Sequence, residues 1–139
     1  MASRYLFAVG RRNRSTVNVK LYPGGTGNLV VHKPNGSTIS LKDYFGGNEY
    51  LYENAVYPLL ILNKDAIHNY DADIEICGGG LKGHSDSIKL AFARAFVTMD
   101  TGLRVTMKPY GLLKRDPRRR EREKPGLRGA RRRPQWSKR

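Results

Sequence analysis

The sequence predicts a mixed α/β domain followed by a long, basic C-terminal tail, and three observations predict it. Four short segments have the apolar runs or the period-two alternation of strands, each bounded by Gly, Pro or Asn. One longer segment spaces Ile88, Phe92, Ala95, Phe96 and Met99 along a single helical stripe. From Lys114 onward no apolar period exists at all. The expected division is therefore a body of residues 1–113 and a tail of residues 114–139.

Tyr5 to Val9 is short and apolar and ends at Gly10, so it reads as the first strand. Arg11-Arg12-Asn13-Arg14 follows as a basic turn. From Thr16 to Tyr22 the chain alternates, with Val17, Val19 and Leu21 on one face of a half-buried strand. Pro23-Gly24-Gly25-Thr26-Gly27 is a turn, and Leu29 to His32 is a third strand. Read in order, these three form an antiparallel meander.

After the turn Pro34-Asn35-Gly36-Ser37, Ser40 is placed to cap a short helix through Phe45. Glu49 to Leu62 reads as a helix interrupted at Pro58. Tyr70 to Cys77 sets Ala72, Ile74 and Ile76 against Asp71, Asp73 and Glu75, which is a fourth strand with one polar face. Gly78-Gly79-Gly80 and Gly83 precede the long helix, for which Ser85 or Asp86 is the expected cap. A weaker helix runs from Leu103 towards Lys108. In the tail, Asp116-Pro117 starts a charged helix of two turns through Lys124, and Pro125, Gly126, Gly129 and Pro134 stop anything further.

Charge narrows the function. The chain has 139 residues, with 26 Lys and Arg against 12 Asp and Glu, a net charge of +14. Residues 114–139 hold thirteen of the basic residues and three of the acidic ones. So concentrated a polycation implies a polyanionic partner. Most of these cations are Arg, whose guanidinium pairs bidentately with phosphate and stacks on bases. Arg118, Arg119, Arg120, Arg122, Lys124, Arg128, Arg131, Arg132 and Arg133 are the candidate phosphate contacts, with Lys114 and Arg115 at the root. Trp136, between Gln135 and Ser137, offers a face for base stacking. Arg11, Arg12 and Arg14 form a second basic patch on a rigid turn. With too few apolar groups to offset its ordering entropy, the end of the tail is expected to order only on an anionic partner.

Other classes fit poorly. No run approaches the roughly 20 apolar residues of a membrane span, and a membrane-surface helix is broken by the Pro and Gly placement. Met1 to Gly10 lacks the apolar run of a secretory signal. Cys77, the only cysteine, leaves no disulfide within the chain and reads as a small core residue. His32, His68 and His84 lie in separate segments with no zinc spacing, so neither metal nor cofactor is expected. Asp71, Asp73 and Glu75 share a face able to hold a hard cation, but a solvated strand face is by far the commoner explanation. The loop from Gly78 to Gly83, with Lys82, sits where backbone amides cradle phosphate. It lacks the Gly-Lys-Ser/Thr of a Walker loop and the dinucleotide spacing. A small-molecule phosphotransferase and a general nucleic-acid condenser remain as alternatives, but no enzyme is expected.

Across nearly its whole length the chain resembles the bacterial and organellar form of the ninth protein of the small ribosomal subunit. The resemblance is carried in order by Gly10-Arg11-Arg12, Pro23 to Gly27, Tyr44-Phe45, Gly78 to Gly83 and Ala93-Arg94-Ala95. It continues through Gly111 to Arg118 and is most specific from Glu121 to the ending Pro134-Gln135-Trp136-Ser137-Lys138-Arg139. Three positions depart: the family usually has Lys at Asn13, Gln at His84 and Phe at Trp136. The resemblance implies an α/β (α+β) two-layer sandwich, a mostly antiparallel or mixed four-stranded sheet with helices on one face. It implies binding to rRNA of the subunit head beside neighbouring head proteins, with no homo-oligomer. The tail would thread between rRNA helices, and Lys138 and Arg139 would approach the anticodon stem-loop of the peptidyl-site tRNA. The implied location is a ribosome, in the bacterial cytoplasm or alternatively in a plastid or mitochondrion.

Overall fold

The computed structural model describes residues 5–138, the side chains of 64–66 aside. Its strands are β1 (Leu6–Arg12), β2 (Ser15–Pro23), β3 (Leu29–His32), β4 (Thr38–Ser40) and β5 (Tyr70–Cys77). Its helices are α1 (Leu41–Tyr44), α2 (Glu49–Leu62), α3 (Leu81–Met99) and α4 (Leu103–Met107), with a 3-10 turn at Lys64–Asn69 before β5.

The sheet is mixed and has five strands, in the order β1-β2-β5-β3-β4. β1 pairs with β2, β2 with β5, and β3 with β4, all antiparallel, while β3 and β5 run parallel. The expected meander is thus corrected, because β3 does not pair with β2. The turn between them is drawn instead to β5. The amides of Gly24 and Gly25 donate to the Asn69 carbonyl, and those of Thr26 and Asn28 donate to the Asp71 carboxylate. This leaves β5 between β2 and β3, with the crossover through α2 that a parallel pair requires. The fifth strand, β4, is a three-residue hairpin partner of β3, too short for alternation to reveal.

One face of the sheet makes the core. Val17, Val19 and Leu21 of β2, Val31 of β3 and Ile74 of β5 are fully buried. Against them lie Ile88, Ala91, Phe92, Ala95 and Phe96 of α3, and Ala55, Val56 and Leu59 of α2. Gly10 lets α3 come this close, since a methyl there would run into the Ser87 carbonyl. The other face carries polar pairs: Lys20 with Glu75 at 3.0 Å, Tyr22 with Asp73 at 3.1 Å, and His32 with Asp73 at 3.4 Å. These pairs and the amide cap on Asp71 engage each carboxylate of that face separately. Among the described residues no three His, Cys, Asp or Glu side chains are grouped to hold a metal.

Several local expectations change. α2 runs through Pro58 without a break, because the buried face of Ala55, Val56, Pro58 and Leu59 outweighs one missing backbone bond. α3 starts four residues before Ser85, with Gly80 as its N-cap. Ser85 is not a cap because its hydroxyl donates to the Leu51 carbonyl, 2.8 Å away, and so ties α3 to α2. Met99 lies beyond the buried stripe and is exposed, as is Cys77 at the end of β5. Ser40 does cap α1, accepting from the Asp43 amide at 3.2 Å. α4 forms where a weak helix was expected.

Among the described residues the tail has no helix, which corrects the expected turns from Asp116 to Lys124. Nor is it one extended arm. Glu121 binds Lys124 at 2.8 Å and Arg131 at 2.9 Å, and the Arg128 amide donates to the Arg132 carbonyl at 2.8 Å. Gly126, with φ of 78°, supplies the left-handed residue that this fold-back requires.

Candidate nucleic-acid interface

The β1–β2 hairpin closes on a two-residue loop, since Arg12 stands opposite Ser15. Asn13 in that loop has φ of 54°, a left-handed conformation that Asn tolerates far better than most side chains. Asn13 thus suits the backbone of this turn but adds no cation to it. Arg11 and Arg14 project outward and are exposed.

Arg12 turns inward instead. Its guanidinium lies 3.1 Å from the Asp116 carboxylate and 3.6 Å from that of Asp86. It also donates to the main-chain carbonyls of Asp116 and Arg118, at 3.2 and 2.7 Å. One side chain on β1 therefore fixes where the tail leaves the body. Leu112 is buried and Leu113 packs on the core, so the chain reaches this clamp directly from its last apolar anchor.

The glycine loop brings the third component. Gly78 and Gly79 both have left-handed φ, 65° and 82°, and fold against the backbone of Arg14 and Ser15. His84 locks the arrangement. One ring nitrogen lies 2.7 Å from the Gly78 carbonyl, to which it donates, and the other lies 2.8 Å from the Tyr44 hydroxyl. These contacts assign the tautomer with hydrogen on Nε2, Tyr44 donating to Nδ1. Burial pushes the Tyr44 phenol above its ordinary pKa. The loop is thus a packed joint that places Lys82 on the first turn of α3.

Together these elements enclose a cleft of about 360 Å³ between the starts of α2 and α3 and the tail root. It gathers Arg11, Arg12, Lys82, Lys114 and Arg118 from the sequence-predicted set, and adds Tyr50, Asn54 and Lys89. The missed residues had a signal. Lys82, Asp86 and Lys89 stand at helical spacing, as do Tyr50 and Asn54, but only a helix starting at Leu81 puts the first three on one face. Beyond the cleft, Arg119 and Arg120 pass Asn13, Arg14 and Gly79, and Arg122 and Arg128 continue along Arg14. Arg115 does not join this track; it is half-buried, and its Nε is enclosed without a hydrogen-bond partner among the described residues.

Electrostatics favour a polyanion. Asp86 is flanked by Arg12, Lys82 and Lys89. Asp116 is held far below the usual carboxylate range, chiefly by the Arg118 side chain and amide and further by Arg12. Glu121 is likewise lowered by Lys124 and Arg131. Asp116 and Glu121 thus stay ionised as internal ties. Arg11, Arg14, Lys114, Arg119, Arg120, Arg132 and Arg133 have no side-chain hydrogen bond or ion pair among the described residues. Their charge is unspent and suited to phosphates. Gln135, Trp136, Ser137 and Lys138 are exposed, Trp136 by 82 %. Arg139 lies outside the described residues.

Comparison with known proteins agrees with this geometry. The family described as ribosomal protein S9/S16 matches residues 10–139. Small ribosomal subunit protein uS9c of Emiliania huxleyi is 46 % identical over 132 residues, which is 95 % of each chain. The uS9 protein of Thermotoga maritima is 42 % identical over 134 residues, covering 96 % of this chain and 95 % of its own. That of Malacoplasma penetrans is 40 % identical over 133 residues, 94 % of each. Matched from the Gly10 that seats α3 to the end of the tail, the chain belongs to the ribosomal protein S9/S16 family.

Proposed function

We propose that this protein, a structural and non-enzymatic constituent of the small ribosomal subunit, binds the rRNA of the subunit head through the cleft and the basic track. The observation that carries the reading is the run of cations from Arg11 and Arg14 past Lys114 to Arg119 and Arg120, none with a side-chain partner among the described residues. Asp86 and Asp116 beside that run are already paired with cations, so phosphates meet little repulsion from them. The body docks as a rigid piece. Residues 114–139 adapt to the RNA and offset phosphate charge where RNA helices approach one another. Binding follows RNA shape and backbone more than base identity, as is usual for structured RNA.

The far end has a separate task in this reading. Lys138 and Arg139 bring positive charge to the anticodon stem-loop of the peptidyl-site tRNA and support its retention without chemistry. Neighbouring head proteins complete the surroundings, and the working location is a ribosome of a bacterium or an organelle. Deleting Lys138 and Arg139 is expected to spare subunit assembly and to weaken tRNA retention; equal loss of both would contradict this division.

The direct test is to tag the protein in its native cell and sediment the lysate through a sucrose gradient after a high-salt wash. Co-migration with small subunits and whole ribosomes supports the reading. Sedimentation as a free small protein would refute it and favour the phosphotransferase or condenser alternatives.

A further inference from the structure

Phosphates need only cations, yet the cleft at the tail root also offers an aromatic ring and a bounded volume. Tyr50 lines it and is 66 % exposed. Lys82 holds the ring in place, with Nζ 4.7 Å from the centroid and within 3.2 Å of the hydroxyl. A ring so exposed, with a lysine over one face, leaves its other face for a flat partner.

We propose that this cleft takes a single unstacked nucleotide of the bound RNA, its base against Tyr50 and its phosphate among Arg11, Lys82 and Lys114. The proposal rests on the RNA-binding reading above and deepens it. The volume of about 360 Å³ is near the lower end of the roughly 300–1,000 Å³ of small-ligand sites, room for one nucleotide. A duplex presents its bases edge-on and stacked, so only a nucleotide turned out of the stack reaches the ring.

The cleft holds the base by its face and does not read its edge. Asn54 is the amide nearest to hand, but its Nδ2 already donates to Ser85 Oγ at 2.6 Å and to Asp86 at 3.0 Å. Its Oδ1 accepts from Lys89 at 2.8 Å. Asp86 is itself flanked by three cations. With these groups committed, stacking is what remains, and stacking accepts any base. The site therefore selects a turned-out nucleotide by shape and charge, whatever its identity.

The test uses the full chain and a transcript of the small-subunit head rRNA. Tyr50 is exposed, so Tyr50→Leu leaves the fold intact, as circular dichroism would verify. Tyr50→Leu is expected to weaken binding by about tenfold or more, within the range for loss of one stacked base. Tyr50→Phe and Tyr50→Trp are expected to bind as the natural protein does. Base-specific chemical probing of the complexes should show one base protected by the natural protein and reactive with Tyr50→Leu. Equal affinity of Tyr50→Leu, or an unchanged probing pattern, would overturn the proposal while leaving RNA binding standing. Thermal stabilisation by AMP alone, abolished in Tyr50→Leu, would also overturn it by making the cleft a free-mononucleotide site. Failure of the natural protein to bind the transcript at low salt would overturn the RNA-binding reading and this proposal with it.

Discussion

The sheet and the tail use their charges in contrasting ways. On the open face of the sheet, Lys20 meets Glu75, Tyr22 meets Asp73, and Asp71 is capped by the amides of Thr26 and Asn28. In residues 114–139 thirteen cations share three carboxylates, and two of those three, Asp116 and Glu121, serve as ties within the chain. The body is held by apolar burial, and the polar groups on the open face of its sheet are matched internally. The tail is held at its root by Arg12 and at its bend by Glu121, and most of its charge is left for something else. Burial holds the first region together, and the second carries most of the uncommitted charge.

The largest effect that would sharpen this contrast lies in the core. Phe92→Ala is expected to cost about 3–5 kcal/mol in chemical denaturation, through reduced burial and the cavity left behind. Replacing Arg119, Arg120, Arg132 and Arg133 together by Gln should move the same curve by no more than about 0.5 kcal/mol. A comparable loss from the tail substitutions would break the contrast.

Next in size is Gly10→Ala. The added methyl meets the Ser87 carbonyl, so β1 and α3 must separate, at a cost of about 1–3 kcal/mol. The unfolding midpoint reads it, and a neutral result would show that the close approach is not needed.

Arg12→Met probes the joint between the regions. It releases Asp116 and the carbonyls of Asp116 and Arg118, while Asp86 keeps Lys82 and Lys89. Limited trypsin digestion should cut between Lys114 and Arg120 several-fold faster, with little change in the thermal midpoint of the body. Unaltered digestion would mean that Arg12 does not hold the root.

The smallest effect is in acid. Backbone amides of Asn28 and Thr26 hold the Asp71 carboxyl below its ordinary value. A carboxylate with a lowered folded pKa stabilises the fold above its unfolded pKa of about 3.9, and that contribution is lost as pH falls through the folded value. Asp71→Asn should therefore flatten the decline of stability below about pH 4 and leave its slope at neutral pH unchanged. An identical acid limb in the variant would remove Asp71 from the account.

Much of the body was legible because burial and period coincide. Val17, Val19 and Leu21, then Ala72, Ile74 and Ile76, alternate in sequence and are buried in the structure. Strand order was not legible. It depends on Asp71 and Asn69 capturing the turn after β2, a contact across more than forty residues with no local mark. The start of α3 was misplaced because Ser85 has a cap's chemistry but spends its hydroxyl on α2. Within the site, the cations were plain from composition, whereas the inward turn of Arg12 and the place of Tyr50 in the cleft needed the folded chain. The bend at Glu121 was hidden for a similar reason, since Arg131 is ten residues away.

The most direct test of the central claim is the salt dependence of binding to head-domain rRNA, for the natural chain and for the variant with Arg119, Arg120, Arg132 and Arg133 replaced by Gln. Each phosphate that the variant no longer neutralises should lower the logarithmic salt slope by roughly 0.7–0.9. A slope reduced by about three units, with the body still folded, is the result expected of a tail that spends its charge on RNA. An unchanged slope would contradict the account and return those arginines to the status of a solvated surface.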